Sequence, residues 1–309
     1  MSASDSKISI CANAKINLCL DIVGKLPNGY HEIKTVMQTL TLCDTVTLEF
    51  THEPAAEKIL IEINSDRLDV SDIPTNDSNT CCKAAKLFFE RIQRLDKTAC
   101  ERCEDIYVKI TVQKQIPQAA GLGGGSSDAA AVLKGLNSFF GSPLDKAALC
   151  ETALQVGADV PFFIDGGTAL CCGIGEKITP LPPISKYHVL LIKPHVGMST
   201  PEAYKRFDEL NEHSAYIHGV YSCSAVVDAI QSGKDLCGLL SNDFECVVTG
   251  VADEILEIKD ALKCLGADDA LMTGSGSCVF GLFKDGEKCA AAYSKIKDKY
   301  AFAAVCKTT

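Results

Sequence analysis

Apolar and polar residues alternate along much of the first third of the chain, the period-two signature of strands with one buried face. Residues 7–11 alternate, and residues 15–22 alternate again with their polar side chains on one face. Residues 36–42, 44–50 and 58–63 read as further strands, and Ile106, Val108, Ile110 and Val112 alternate without a break. Between them the period lengthens. Ala84, Leu87, Phe88, Ile92 and Leu95 recur at helical spacing, which predicts a helix over 79–95 with Asn79 as its N-cap. A small-residue helix over 129–139 follows. Ser142-Pro143-Leu144-Asp145 then predicts another, with Ser142 as cap and Pro143 at its first position.

The second half reads as strand 188–193, helices near 201–210, 224–230 and 253–265, a strand–glycine turn–strand over 269–283, and a closing helix near 287–297. The proline-rich stretch 179–185 suits a linker. Strands and helices mix without strict alternation, so the expected fold class is α+β. At 309 residues the chain exceeds one average core. Two domains are expected, 1–165 and 166–309.

Composition narrows the functions open to it. Forty acidic against thirty basic residues give a formal charge of −10, which repels phosphate backbones and disfavours a nucleic-acid partner. The first seven residues are polar, and no apolar run approaches the roughly 20 residues a membrane span needs. A soluble, cytoplasmic protein without a membrane partner is expected. The 17 cysteines cannot all pair, and many sit in apolar runs as small hydrophobes, so mostly reduced, buried thiols are expected. Cys100-Glu101-Arg102-Cys103 is the one C-x-x-C, and no second ligand pair accompanies it as zinc would require.

The chemistry concentrates in Gly121-Leu122-Gly123-Gly124-Gly125-Ser126-Ser127-Asp128 at the head of a helix. Side-chain-free backbone, unpaired first-turn N–H groups and the positive end of the helix dipole together suit an anion. A Walker loop would need Gly-Lys-Ser/Thr, and the lysine is missing. The dinucleotide pattern would need a third glycine where Ser126 stands.

Preceded by Ile116-Pro117, the loop resembles the nucleotide loop of the GHMP kinases. Ala12-Asn13-Ala14-Lys15-Ile16-Asn17-Leu18, Asn28-Gly29-Tyr30-His31, Gly157-Ala158-Asp159-Val160-Pro161-Phe162, Gly173-Ile174-Gly175-Glu176 and Thr273-Gly274-Ser275-Gly276 extend the likeness. It runs from about residue 10 to residue 283, in the order of a member whose alcohol carries a cytidine diphosphate. The resemblance implies a two-domain fold: an N-terminal ATP-binding domain like domain 2 of ribosomal protein S5, and a ferredoxin-like α/β C-terminal domain for substrate.

Read from the residues alone, Asp159 can cap a turn or act as a base, and Lys15 can snorkel outward or pair with it. The resemblance implies the catalytic roles, Asp159 as general base and Lys15 as the cation that orients it. It places Pro117, Gly121, Leu122, Gly123, Gly124, Gly125, Ser126 and Ser127 on the ATP phosphates, and Asn79, Thr80 and Lys114 at the adenosine. Asn17, Tyr30, His31, Thr200, Tyr204, Gly274 and Ser275 fall to the alcohol, with Tyr30 and Tyr204 as platforms for the base and His31 at its edge. Mg²⁺ is expected with ATP, Ser127 being its ligand, in a monomer or homodimer. A mevalonate- or homoserine-kinase-like enzyme is the alternative within the family; a non-catalytic nucleotide sensor is the alternative outside it.

Overall fold

The structure, a computed structural model, describes residues 6–52, 57–95, 106–184, 187–195, 197–213, 222–248 and 253–309. Cys100 and Cys103 lie outside the described residues. The chain divides into two compact units: Met1–Ala14, Cys43–Ile116 and Gly123–Asp165 in the first, and Lys15–Leu42, Pro117–Leu122 and Gly166–Thr309 in the second.

Strands β1 (Ser6–Lys25) and β2 (His31–Thr51) contribute residues to both units. The sequence pattern divides each of them in two, and the structure does not. In β1 the interruption is Ala12-Asn13-Ala14, whose alanines are small enough to stay extended and buried. In β2 it is Cys43, beside Asp44, a carboxylate at an inward position that keeps its place by pairing with Lys114.

In the first unit the second half of β2 pairs antiparallel with β4 (Tyr107–Gln113), Thr45 facing Gln113 and Thr51 facing Tyr107. β3 (Ile59–Asn64) runs parallel to β4. Val46, Leu48, Phe50, Val108, Ile110 and Val112 are the buried alternate positions. Helices α1 (Thr80–Leu95) and α2 (Gly124–Phe139) pack on this sheet and α3 (Lys146–Val156) packs on both helices, with the single turn α4 (Phe162–Asp165) after them. Phe50 stacks on Phe139 with centroids 3.7 Å apart, fixing α2 against β2. The expected cap Ser142 is corrected by three residues: Asp145 caps α3 by accepting from the Ala148 N–H at 2.8 Å, while Ser142 lies in the left-handed region at φ 60°.

In the second unit β5 (Thr168–Gly173) pairs with the first half of β2 and with β6 (Lys177–Pro180), which takes up part of the expected linker. β7 (His188–Lys193), β8 (Ser241–Asn242), β9 (Asp269–Met272), β10 (Val279–Phe283) and β11 (Phe302–Lys307) complete its strands. Its helices are α5 (Thr200–His213), α6 (Cys223–Gln231), α7 (Glu245–Val248), α8 (Asp253–Cys264) and α9 (Gly286–Ile296). β11, β7, β10 and β9 lie in that order in an antiparallel sheet. With α8 and α9 they give the βαββαβ succession of a ferredoxin-like unit, as expected. Leu190, Ile192, Ile258, Leu262, Val279, Phe283, Ala292 and Ile296 belong to its core.

The expectation for the cysteines is met for their reduced state except at one pair, and only in part for their burial. Thirteen are free among the described residues, six of them buried, but Cys19 on β1 is joined to Cys223 at the start of α6, their Cα atoms 5.4 Å apart. No helix among the described residues is long and apolar enough to cross a membrane.

Candidate functional site

In the first unit the site is built around the start of α2. Gly123 takes a left-handed conformation (φ 70°), and no side chain caps the helix. The Ser127 N–H closes the first turn on the Gly123 carbonyl at 2.9 Å. The helix therefore begins five residues before the expected 129, within the glycine run itself. An uncapped first turn leaves backbone donors and the positive dipole end to an anion. Ser127 is buried there, and Ser126 is half-buried.

Two of the three residues expected at the adenosine brace the start of α1. Asn79 caps that helix, its Oδ1 accepting from the Cys81 N–H at 2.8 Å while its Nδ2 donates to the Pro74 carbonyl at 2.7 Å. Thr80 donates its hydroxyl to the Gly125 carbonyl at 2.9 Å, tying α1 to the glycine run. The third, Lys114, is buried and ion-paired with Asp44 and Asp128. Burial opposes its charge, but the two carboxylates outweigh burial and hold the ammonium above its usual value. Asp128 is pushed up to about 7 by burial, against the pull of Lys114 and with the help of Asp44. Asp159 stands in the turn between α3 and α4, half-buried rather than fully buried, with Val160 and Phe162 buried after it.

In the second unit Pro117–Leu122 lies against Lys15, Asn17 and the turn after β9. Lys15 is 3% exposed, so it does not snorkel outward; its Nζ donates to Asn17 Oδ1 at 2.5 Å. The Lys15 N–H reaches the Leu122 carbonyl at 2.9 Å. Asn17 Nδ2 donates to Thr35 at 2.8 Å, and the Asn17 N–H to the Thr273 hydroxyl at 3.0 Å. Gly121 has φ 71°, and a Cβ there would stand 2.1 Å from the Thr273 carbonyl oxygen, so only glycine fits. Asn242 donates to the carbonyls of Met272 and Gly274, both at 2.8 Å, holding the turn that carries Gly274 and Ser275.

The residues expected at the base of the alcohol also lie in the second unit. Tyr30 is 60% exposed at the turn between β1 and β2. His31 is buried and stacks on Tyr204, centroids 4.4 Å apart at 16°. Its Nε2 lies 2.6 Å from Asp208, which also accepts from Lys25 at 2.5 Å. Lys25 and His31 outweigh partial burial and keep the Asp208 carboxyl below its ordinary value. Thr200 and Ser275 share a hydroxyl contact at 2.8 Å that joins the start of α5 to the glycine turn.

Reading the sequence missed Asp44, Asp128, Thr273, Asn242 and Asp208 as functional support. Asp128 and Thr273 stood inside motifs already singled out, and Asp44 opened the expected strand 44–50 as a polar residue. Asp208 carried no signal, being one acid among several on a solvated helix.

Comparison with known proteins agrees over 94% or more of the chain. Residues 79–167 match the family of GHMP kinases N terminal domains, and residues 226–301 the family of GHMP kinases C terminal domains. A 4-diphosphocytidyl-2-C-methyl-D-erythritol kinase of Clostridium botulinum (strain Loch Maree / Type A3) is 38% identical over 94% of this chain and 95% of its own. The enzyme of that name from Clostridium tetani is 39% identical over 95% and 97%. A crystal structure of 4-(cytidine 5'-diphospho)-2C-methyl-D-erythritol kinase superposes with TM-score 0.76 at 27% identity, covering 97% of this chain and 98% of that one. Homoserine kinase from Cytophaga hutchinsonii shares the fold, with TM-score 0.71 at 17% identity over 100% and 96%. The chain belongs to the 4-diphosphocytidyl-2-C-methyl-D-erythritol kinase family of the GHMP kinases.

Proposed function

We propose that this chain transfers the γ-phosphoryl group of ATP to the 2-hydroxyl of 4-diphosphocytidyl-2-C-methyl-D-erythritol, releasing ADP and the 2-phosphate, as a step of non-mevalonate isoprenoid precursor synthesis. The observation that carries this reading is the likeness, at 38–39% identity over 94% or more of the chain, to kinases named for that alcohol. The uncapped start of α2 supports it, because phosphoryl transfer asks for a rigid cradle of donors on the phosphates. Homoserine and mevalonate kinases resemble the chain only at 14–17% identity, which supports a shared fold and no shared substrate.

In this reading the glycine run from Gly121 to Ser127 holds the triphosphate, with Pro117 leading into it and Asn79, Thr80 and Lys114 on the nucleoside side. Asp159 takes the proton of the acceptor hydroxyl as its oxygen attacks phosphorus, and the bond to the β-phosphate oxygen breaks. Lys15, held by Asn17, stabilises the charge gathering on the attacking oxygen. Tyr30 and Tyr204 take the cytosine face and His31 its edge. Thr200, Gly274 and Ser275 bind the rest of the alcohol.

Among the described residues no three of His, Cys, Asp and Glu converge on one point, which suits an ion carried mainly by phosphate oxygens and water. Mg²⁺ would meet the Ser127 hydroxyl in the first turn of α2, and when bound it supplies charge neutralisation on the phosphates. The enzyme is read as cytoplasmic, a monomer or homodimer, with small-molecule partners alone.

Replacing Asp159 with Asn tests the assignment. Turnover is expected to fall by about 10²–10⁴, the share of a general base, with ATP affinity retained. Wild-type turnover in D159N would remove Asp159 from the mechanism.

A further inference from the structure

Resting on the reading of the glycine run as the triphosphate cradle, we propose that Asp44, Lys114 and Asp128 form a buried ionic strut that sets the position of the cradle's donors, and that Asp44 and Asp128 are positioning residues for ATP. The three groups come from separate segments of the first unit. Asp44 lies on β2, Lys114 just beyond the end of β4, and Asp128 in the second turn of α2. All three side chains are almost wholly removed from solvent.

Asp44 works in two directions. Its Oδ1 accepts the N–H groups of Gln115, at 2.5 Å, and Ile116, at 2.8 Å, which lead the chain toward the glycine run. Its Oδ2 accepts from the Lys114 ammonium. Lys114 in turn donates to Asp128 Oδ2 at 2.7 Å. One lysine therefore ties the segment entering the glycine run to the helix leaving it. The ammonium also stands 3.3 Å from where a Cβ on Gly124 would lie, directly beside the first residue of α2.

A purely stabilising ion pair would need one carboxylate for one ammonium. Here two carboxylates share one, and Asp128 Oδ1 is buried without a hydrogen-bond partner. Such an arrangement is costly for stability alone. It is explicable where the position of the tied backbone matters more than its stability, because donors displaced by an ångström lose much of their effect on a bound anion.

The test is equilibrium binding of ATP with Mg²⁺, and separately of CDP, to the full chain and three variants. Asp128→Ala cuts the tie to α2 and leaves Lys114 and Asp44 a matched pair. It is expected to weaken ATP by about ten- to a hundredfold, the scale of a small misplacement, with CDP affinity unchanged. Asp44→Ala removes the other end and is expected to show the same ATP-selective loss, so the pair keeps the test decisive if one variant does not fold. Asp128→Asn still offers an oxygen to Lys114 and is expected to recover most of the ATP affinity lost in Asp128→Ala. The strut is overturned if the folded alanine variants bind ATP as the wild type does, if ATP and CDP weaken together, or if the wild type binds no ATP. A wild type that binds ATP but phosphorylates no alcohol would instead overturn the proposed reaction, with the strut still readable from the binding.

Discussion

Asp128 gives the stability of the fold a pH dependence. The groups facing it are Lys114, Asp44 and the Cys81 thiol on α1, itself held well above its usual value by burial. Its carboxyl rises from 3.8 to about 7 on folding, so between those values the folded chain keeps a proton that the unfolded chain has released. The contribution to stability is full below about pH 4 and is lost as pH rises through 7. Urea denaturation should show this as a fall of about 2–3 kcal/mol between pH 5 and pH 8, largely absent in Asp128→Asn. A wild-type curve flat over that range would place the proton elsewhere. Lys15 shows what a sequence can and cannot specify at this scale. A lysine between apolar neighbours signals a cation in need of a partner, and the structure buries it. The identity of its hydrogen-bond partner, Asn17 two residues along the same strand, follows from strand geometry, which sets both side chains on one face.

Elements are fixed by their ends as much as by their apolar stripes. Asp145 caps α3 and is not among the residues proposed for nucleotide or alcohol. Asp145→Ala should lower stability by about 1 kcal/mol without altering kcat/KM, which thermal unfolding and a steady-state assay together would check. At Gly121 the outcome is opposite. Gly121→Ala places a methyl against the Thr273 carbonyl in a left-handed backbone, so a loss of about 2 kcal/mol or more is expected together with weakened ATP binding. Normal ATP affinity in that variant would show that the Gly121–Thr273 approach does not matter to the site. Most elements were legible because their periods are clean, as in Ile106 to Val112 or in α1. β5 and β11 were not. Thr168-Ala-Leu-Cys-Cys-Gly and Phe302-Ala-Ala-Val-Cys-Lys are short and built from small, middling-polarity residues, and they become strands through the partners they meet, β2 and β7. The division of β1 and β2 failed for a related reason: local pattern cannot register that Asp44 finds Lys114 seventy residues away.

At the scale of the whole molecule, the family was readable because several short motifs recur in one order, something no single glycine loop conveys. The ferredoxin-like sheet was readable only through that resemblance, since its strand order β11-β7-β10-β9 joins segments more than a hundred residues apart. The cytidine side follows the same logic. Tyr30→Ala should raise KM for the alcohol by the worth of one stacked base, about 1–3 kcal/mol, and leave KM for ATP alone. An unaltered KM for the alcohol would shift the substrate toward alcohols without a base. The most direct measurement is ³¹P NMR of the wild-type protein with 4-diphosphocytidyl-2-C-methyl-D-erythritol, ATP and Mg²⁺. A new monoester resonance coupled to the 2-position, growing in step with ADP, is the expected result. ADP without that monoester, or the monoester formed equally well from mevalonate or homoserine, would contradict the account.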